Sequence, residues 1–275
     1  MMKDILLLVE NSAHANPVII AGVKMAERIG AQLTIQILTS APAFIPALAP
    51  MTTMYVPEWA MADDQAERIR LVSDMVAGST ASVRVLGLHD GVFAIADRVG
   101  RTGPIADLIV IGGEDHWQTH WLRHNTSETI VMSAGTPLLV LAGGDALPPV
   151  RKVVIGWKDS PEARRAVHDL IALAEPAAKV TVVTVGGFAD EARVTAQSAA
   201  EIVRHLIGHG LHAEWKAIRS DEFADAEALE AFALEDGADL LVIGAFAHSR
   251  FREVIFGGFT RSLLDKSRLP ILFSR

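Results

Sequence analysis

Ala106-Asp-Leu-Ile-Val-Ile-Gly112 recurs 132 residues later as Ala238-Asp-Leu-Leu-Val-Ile-Gly244. The two stretches differ only at Ile109 against Leu241. An apolar run of this length bounded by Asp and Gly reads as a strand covered on both faces. His116 and His248 stand at the same spacing. Near the start of each half, Ile5-Leu-Leu-Leu-Val-Glu-Asn-Ser12 resembles Val153-Val-Ile-Gly-Trp-Lys-Asp-Ser160, 148 residues on. Each half closes on an apolar run after proline, Pro137-Leu-Leu-Val-Leu141 and Pro270-Ile-Leu-Phe273. Self-similarity on this scale marks a duplicated module. The offset falls from 148 to 132, so the first half carries about 16 extra residues, placed in Ala41–Met61. Gly143-Gly-Asp-Ala-Leu-Pro-Pro149 is the turn-rich join. Two domains are expected, residues 1–144 and 150–275.

Composition narrows the function classes. Of 275 residues, 50% are hydrophobic and 21% charged, which excludes a disordered chain. The net charge of −8 is not the footprint of a non-specific nucleic-acid binder. The absence of cysteine excludes disulfides, thiol chemistry and Cys-ligated metals. The leading apolar run Ile5–Val9 stops at Glu10, short of a signal h-region, and no run reaches the ~20 residues of a bilayer span. The expectation is a soluble, cytoplasmic protein with neither nucleic-acid nor membrane partner.

Strand-like and helix-like segments alternate. In the second half, Lys152–Trp157, Lys179–Val185, His212–Ile218, Leu240–Ile243 and Pro270–Phe273 read as strands. Glu162–Ala174, Asp190–Gly208, Ala224–Glu235 and Val254–Lys266 read as helices. Ser160 is the N-cap of the first helix and Pro161 its opening residue. Apolar strands between helices imply a parallel sheet covered on both faces, and right-handed crossovers make each half a doubly wound α/β domain. Ligands in such sheets sit beyond the C-terminal strand ends where strand order reverses, here the loops after Trp157, Val185 and Ile243.

One of these loops has the form of a phosphate cradle. It runs Gly244-Ala-Phe-Ala247-His248-Ser249-Arg250-Phe-Arg252 and on to Gly257-Gly258-Phe259-Thr260-Arg261. Glycines let backbone N–H groups approach phosphate oxygens. A helix opening near Gly257 turns its positive end toward an anion, and Arg250, Arg252 and Arg261 can add charge-assisted bonds. The same glycines would also serve a tight strand-to-helix connection. The loop resembles the Gly-x-x-Gly, nine residues, Gly-Ser/Thr motif of the universal stress protein (UspA-like) family. Gly244 matches the first glycine, Gly257 the third, and His248-Ser249 a common form of the motif. The likeness covers nearly the whole chain as two tandem copies, the insertion apart.

The resemblance implies two Rossmann-like domains of the adenine nucleotide alpha hydrolase-like kind. It implies a stress-response regulator that binds ATP, ADP or AMP, with Mg, in the second domain. The positions it assigns are Lys158, Thr184, Val185, Gly244, Ala247, His248, Arg250, Gly257, Gly258, Phe259 and Thr260. Thr184 and Val185 match backbone that contacts adenine in the family. Three positions depart from the pattern. Ala247 replaces the second glycine, Gly258 the Ser/Thr, and Lys158 an Asp that faces base or ribose. A lysine donates but cannot accept, so it suits a phosphate better. The resemblance also implies that last strands pair across an internal two-fold, making one chain the equivalent of a dimer. It leaves a further homodimer open.

The first half departs more. Its loop reads Gly112-Gly-Glu114-Asp115-His116-Trp117, and Asn125-Thr126-Ser127 stands where the glycine pair belongs. Glu114 and Asp115 would repel a triphosphate, so nucleotide binding is expected to be lost there, although Glu10 sits at the family's Asp position. His116, His120 and His124 would share one helical face. That spacing suits zinc, but no fourth ligand accompanies them, and a polar face beside Trp117 and Trp121 with no metal is expected. The Pro/Met/aromatic insertion reads as a lid or as cover for its own domain. No Walker A sequence and no Gly-x-Ser-x-Gly elbow occurs. No catalytic residue is assigned. Lys158 and His248 are the only polar helpers for a slow ATPase. The competing function is a scaffold, or a binder of partners or hydrophobic ligands, without nucleotide.

Overall fold

The computed structural model describes residues 2–40, 58–102, 105–142, 147–186, 189–220, 225–245 and 258–275. In the first half the elements are β1 (Asp4–Glu10), α1 (Asn16–Ile29), β2 (Gln32–Ser40), α2 (Glu58–Val76), β3 (Val83–Asp90), α3 (Val92–Thr102), β4 (Leu108–Gly112), α4 (His120–Ser133) and β5 (Leu138–Leu141). The second half repeats the plan with β6 (Lys152–Gly156), α5 (Pro161–Leu173), β7 (Lys179–Val185), α6 (Ala189–Gly208), β8 (His212–Ile218), α7 (Asp225–Glu235), β9 (Leu240–Gly244), α8 (Gly258–Lys266) and β10 (Ile271–Ser274).

All ten strands form one sheet in the order β3-β2-β1-β4-β5-β10-β9-β6-β7-β8. Within each half every pairing is parallel. The antiparallel pairing joins the halves, with Leu272 opposite Leu139 and flanked by Ile271–Val140 and Phe273–Leu138. Reading outward from that seam, both halves have the same strand order. In each, order reverses at the first strand, β1 or β6. A crevice opens there beyond the C-terminal strand ends because the helices flanking it leave on opposite faces.

Alternating side chains feed two cores, one on each face. Ile5, Leu7 and Val9 of β1 share a face with Val153 and Ile155 of β6, under helices carrying Val18, Ile19, Val167, Leu170 and Leu206. Leu6, Leu8, Ile111, Val154, Val183 and Ile243 point the other way, against Ile95 of α3, Leu122 and Ile130 of α4, Leu229 of α7 and Leu263 of α8. Each fully buried side chain of this size contributes about 1.5–3 kcal/mol, and both cores run through the seam. Helices α4 and α8 therefore lie in one layer.

The seven-residue repeat has a structural reason at its aspartate. Asp107 Oδ2 accepts from the backbone N–H groups of Lys3 and Asp4 at 2.7 and 3.1 Å. Asp239 Oδ2 does the same for Arg151 and Lys152 at 2.9 and 2.8 Å. Each carboxylate fastens the start of the central strand to its neighbour. The prolines before the last strands stay outside them, yet Pro137 and Pro270 carbonyls still accept ladder bonds from Ile109 and Leu241. Ser160 caps α5 as expected, its Oγ accepting from Ala163 N at 3.1 Å. Strand β6 ends at Gly156, one residue earlier than the sequence suggests. Of the insertion, residues 41–57 lie outside the described residues, and its tail Glu58–Met61 forms the first turn of α2. No helix among the described residues is long and apolar enough to cross a membrane.

Candidate functional site

The crevice of the second half is a cavity of about 220 Å³ at the ends of β6, β7 and β9. Val183, Val185, Leu229, Ile243 and Phe259 give it apolar walls, and Lys158, Asp225 and Thr260 bring polar groups. An apolar pocket with a few convergent polar groups is the usual form of a small-molecule site. Its close walls depend on glycine. A Cβ on Gly156 would lie 2.6 Å from Leu229 Cδ2 and 3.1 Å from Ile243 Cγ2. A Cβ on Gly244 would lie 2.4 Å from Ala163 N and 2.7 Å from Glu162 C, both backbone atoms of α5. Gly244 thus has a packing reason independent of any phosphate: it lets the first turn of α5 close onto β9.

Of the residues expected at the site, Lys158, Val185, Gly244, Phe259 and Thr260 line this cavity together. Thr184 is turned to the opposite face of β7, where its hydroxyl accepts from Trp215 Nε1 at 3.1 Å. Gly258 opens α8, and among the described residues nothing lies within 4 Å of a Cβ built on it. Ala247, His248, Arg250 and Gly257 lie outside the described residues. Arg261 lies in α8 and is described. It bonds Glu128 of the first half at 2.7 Å through Nη2 and 3.2 Å through Nε, and this bond raises its pKa. Its charge is paired across the seam.

Sequence reasoning missed Gly156, Asp225 and Leu229. Asp225 and Leu229 lie in the first turns of α7, which borders the crevice because it follows the third strand of the half. The strand order carries that signal; no motif does.

The first half has used the corresponding place for itself. Glu10, 6% exposed at the end of β1, accepts through Oε2 from the N–H groups of Gln118 and Thr119, at 2.5 and 3.1 Å. The carboxylate therefore sits against the N-terminal end of α4, where helix partial charge favours an anion. The three histidines do not form a shared face. His116 ends a separate 3-10 turn, Glu114–His116, and is buried. Burial is the main cause that pulls its pKa down, against a smaller upward pull from the Gly113 backbone and Asp115. His120 pairs with Glu114 at 2.9 Å, while His124 contacts Glu128 at 3.2 Å and Asp265 at 3.5 Å. Among the described residues no group of three ligand-type side chains could hold a metal ion.

Sequence reasoning also missed Arg123. It is 3% exposed, and its Nη2 donates to Leu264 O, in the last turn of α8, at 2.7 Å. Its Nη1 lies 3.6 Å from Asp265 Oδ1. Burial pulls its pKa down, and Asp265 and Glu114 offset part of that.

Residues 149–275 match the model of the universal stress protein family. The chain is similar to a universal stress protein from Archaeoglobus fulgidus DSM 4304, with 13% identity, a TM-score of 0.69, and coverage of 98% of this chain and 96% of that one. It is also similar to a functionally unknown protein from Pseudomonas aeruginosa PAO1, with 15% identity, a TM-score of 0.52, and coverage of 99% and 92%. These likenesses show the fold. No curated protein matches.

Proposed function

We propose, from the match of residues 149–275 to the model of the universal stress protein family, that this protein is a stress-response regulator binding an adenine nucleotide in its second half. The observation that carries the reading is the crevice at the strand-order reversal, apolar in its walls and bordered by Lys158, Asp225 and Thr260. Apolar walls suit a purine. A carboxylate at Asp225 accepts from a ribose hydroxyl or an amine, whereas the ammonium of Lys158 meets phosphate. The opening turn of α8 directs its positive end to the same anion. The family motif assigns Ala247, His248, Arg250 and Gly257 to the phosphates as well, and Mg accompanies ATP. Thr184 contributes through its backbone only.

The protein works by binding. Turnover is at most slow, with Lys158 and His248 as helpers. The chain is a tandem of two modules, residues 1–144 and 150–275, paired through β5 and β10 as an internal pseudo-dimer. The first module has given up nucleotide, its carboxylate Glu10 standing in for the anion.

The test is a titration of ATP, ADP and AMP, with and without Mg, against the wild type and Val185→Trp. The indole fills the crevice from β7. Saturable wild-type binding weakened at least tenfold in the variant, with unchanged circular dichroism, is expected. Equal affinity in the two proteins contradicts the site. A flat wild-type titration at millimolar nucleotide favours the scaffold or hydrophobic-ligand reading.

A further inference from the structure

We infer that Arg123, in the first half, is a positioning residue for the ligand crevice of the second half, acting through α8. The inference rests on reading that crevice as the ligand site. Helix α8 is nine residues long, and it connects two places. Phe259 and Thr260 in its first turn line the crevice. Its last turn is held by the other half, where Arg123 donates to Leu264 O and faces Asp265. A cation at a helix C-terminus complements the partial negative charge there, and the planar guanidinium fixes direction as well as distance. The same side chain reaches back to Gly112 O, at the end of β4, at 3.4 Å. The Glu128–Arg261 pair makes a second grip between the helices.

The holder is itself held. Glu10 ties the N-terminal end of α4 to β1 through Gln118 N and Thr119 N. A chain of charge-assisted bonds therefore runs from the central strand of the first half, through α4 and Arg123, to α8 and the crevice. At the 132-residue spacing Arg123 corresponds to Ile255, and Asp265 to Ser133. The second half thus has no arginine at the matching position, and it reaches α4 through Arg261 instead. Binding groups must stay within roughly 0.5 Å of productive geometry, and a short helix steadied at its far end meets that demand. The retained role of the first module is to set the position of α8.

Full-length wild type, Arg123→Met, Arg123→Lys and Glu10→Gln are compared by hydrogen exchange and by ATP titration. In Arg123→Met, exchange is expected to rise across residues 259–266 and to stay at the wild-type level in α5. ATP affinity should fall at least tenfold. Arg123→Lys, which restores one donor and the charge, should recover part of both. Glu10→Gln acts at the other end of the relay, should loosen α8 in the same way, and serves if Arg123→Met does not fold. Unchanged α8 exchange in a folded variant overturns the inference. So does a loosened α8 with wild-type ATP affinity. If the wild type takes no ATP, the reading of the crevice fails separately, and the exchange arm alone decides whether the first half holds α8.

Discussion

A single methyl group separates two uses of glycine beside the crevice. On Gly244 it would press into the backbone of α5 at 2.4 Å, where no side chain can swing aside. We expect Gly244→Ala to cost about 1–3 kcal/mol, read as a lowered urea midpoint. Gly258→Ala meets no described residue within 4 Å and should stay within about 0.5 kcal/mol of wild type. If Gly244→Ala is as stable as Gly258→Ala, the tight α5–β9 contact is wrong. Another residue-scale effect is acid sensitivity. The folded pKa of His116 lies below its ordinary value because burial disfavours the imidazolium. As pH falls below about 6.5, the unfolded chain takes up the proton first, so stability drops through the window between that value and the lower folded one. Above that window the contribution is constant. Urea midpoints from pH 8 to 5 should fall toward acid, less steeply in His116→Asn. The slope is not abolished, because His205 is also shifted down, by burial and by His209, His168 and Arg204. A midpoint that rises toward acid contradicts the assignment. The sequence marks Gly244 by its repeat but not the reason for it, since the α5 backbone that it touches is about eighty positions away.

At the scale of elements, much was legible. The strands Leu108–Gly112 and Leu240–Gly244 are apolar throughout because both faces are covered, so composition alone exposes them. Ser160 and Pro161 announce α5 by local chemistry. Asp107 and Asp239, second in the repeat, each make two backbone bonds across to the central strand. Asp239→Ala is expected to destabilise by about 1–2 kcal/mol, with Asp107→Ala in the same direction. Chemical denaturation checks both, and neutrality of both would remove this account of why the repeat carries Asp at its second position. The histidine spacing misled because a helix was assumed through it. Trp117 is extended instead, so His116 and His120 belong to different elements. Asp225 and Arg123 carry no local signature. Their partners are set by strand order and by the packing of two halves, which no window of sequence contains.

At the scale of the molecule, β10 is the keystone. It pairs with β9 on one side and β5 on the other, so both cores depend on it. Phe273, 1% exposed, lies opposite Leu138 and Ile243. Phe273→Ala should cost about 3–5 kcal/mol and lower one cooperative transition for the whole chain. Calorimetry that shows one half unfolding at its wild-type temperature would mean that the halves are independent. The outer edges keep to themselves differently. Glu214 and Lys216 pair at 2.8 Å on the exposed strand β8, and such charges discourage edge-to-edge association. The duplicated plan is symmetric in its strands and asymmetric in its crevices: one bordered by Lys158 and Asp225, the other supplied with its own carboxylate at Glu10. The stoichiometry of ATP binding to the full-length chain, measured by calorimetric titration, tests that asymmetry most directly. One nucleotide per chain is the predicted result; two per chain, or none at millimolar concentration, would contradict it.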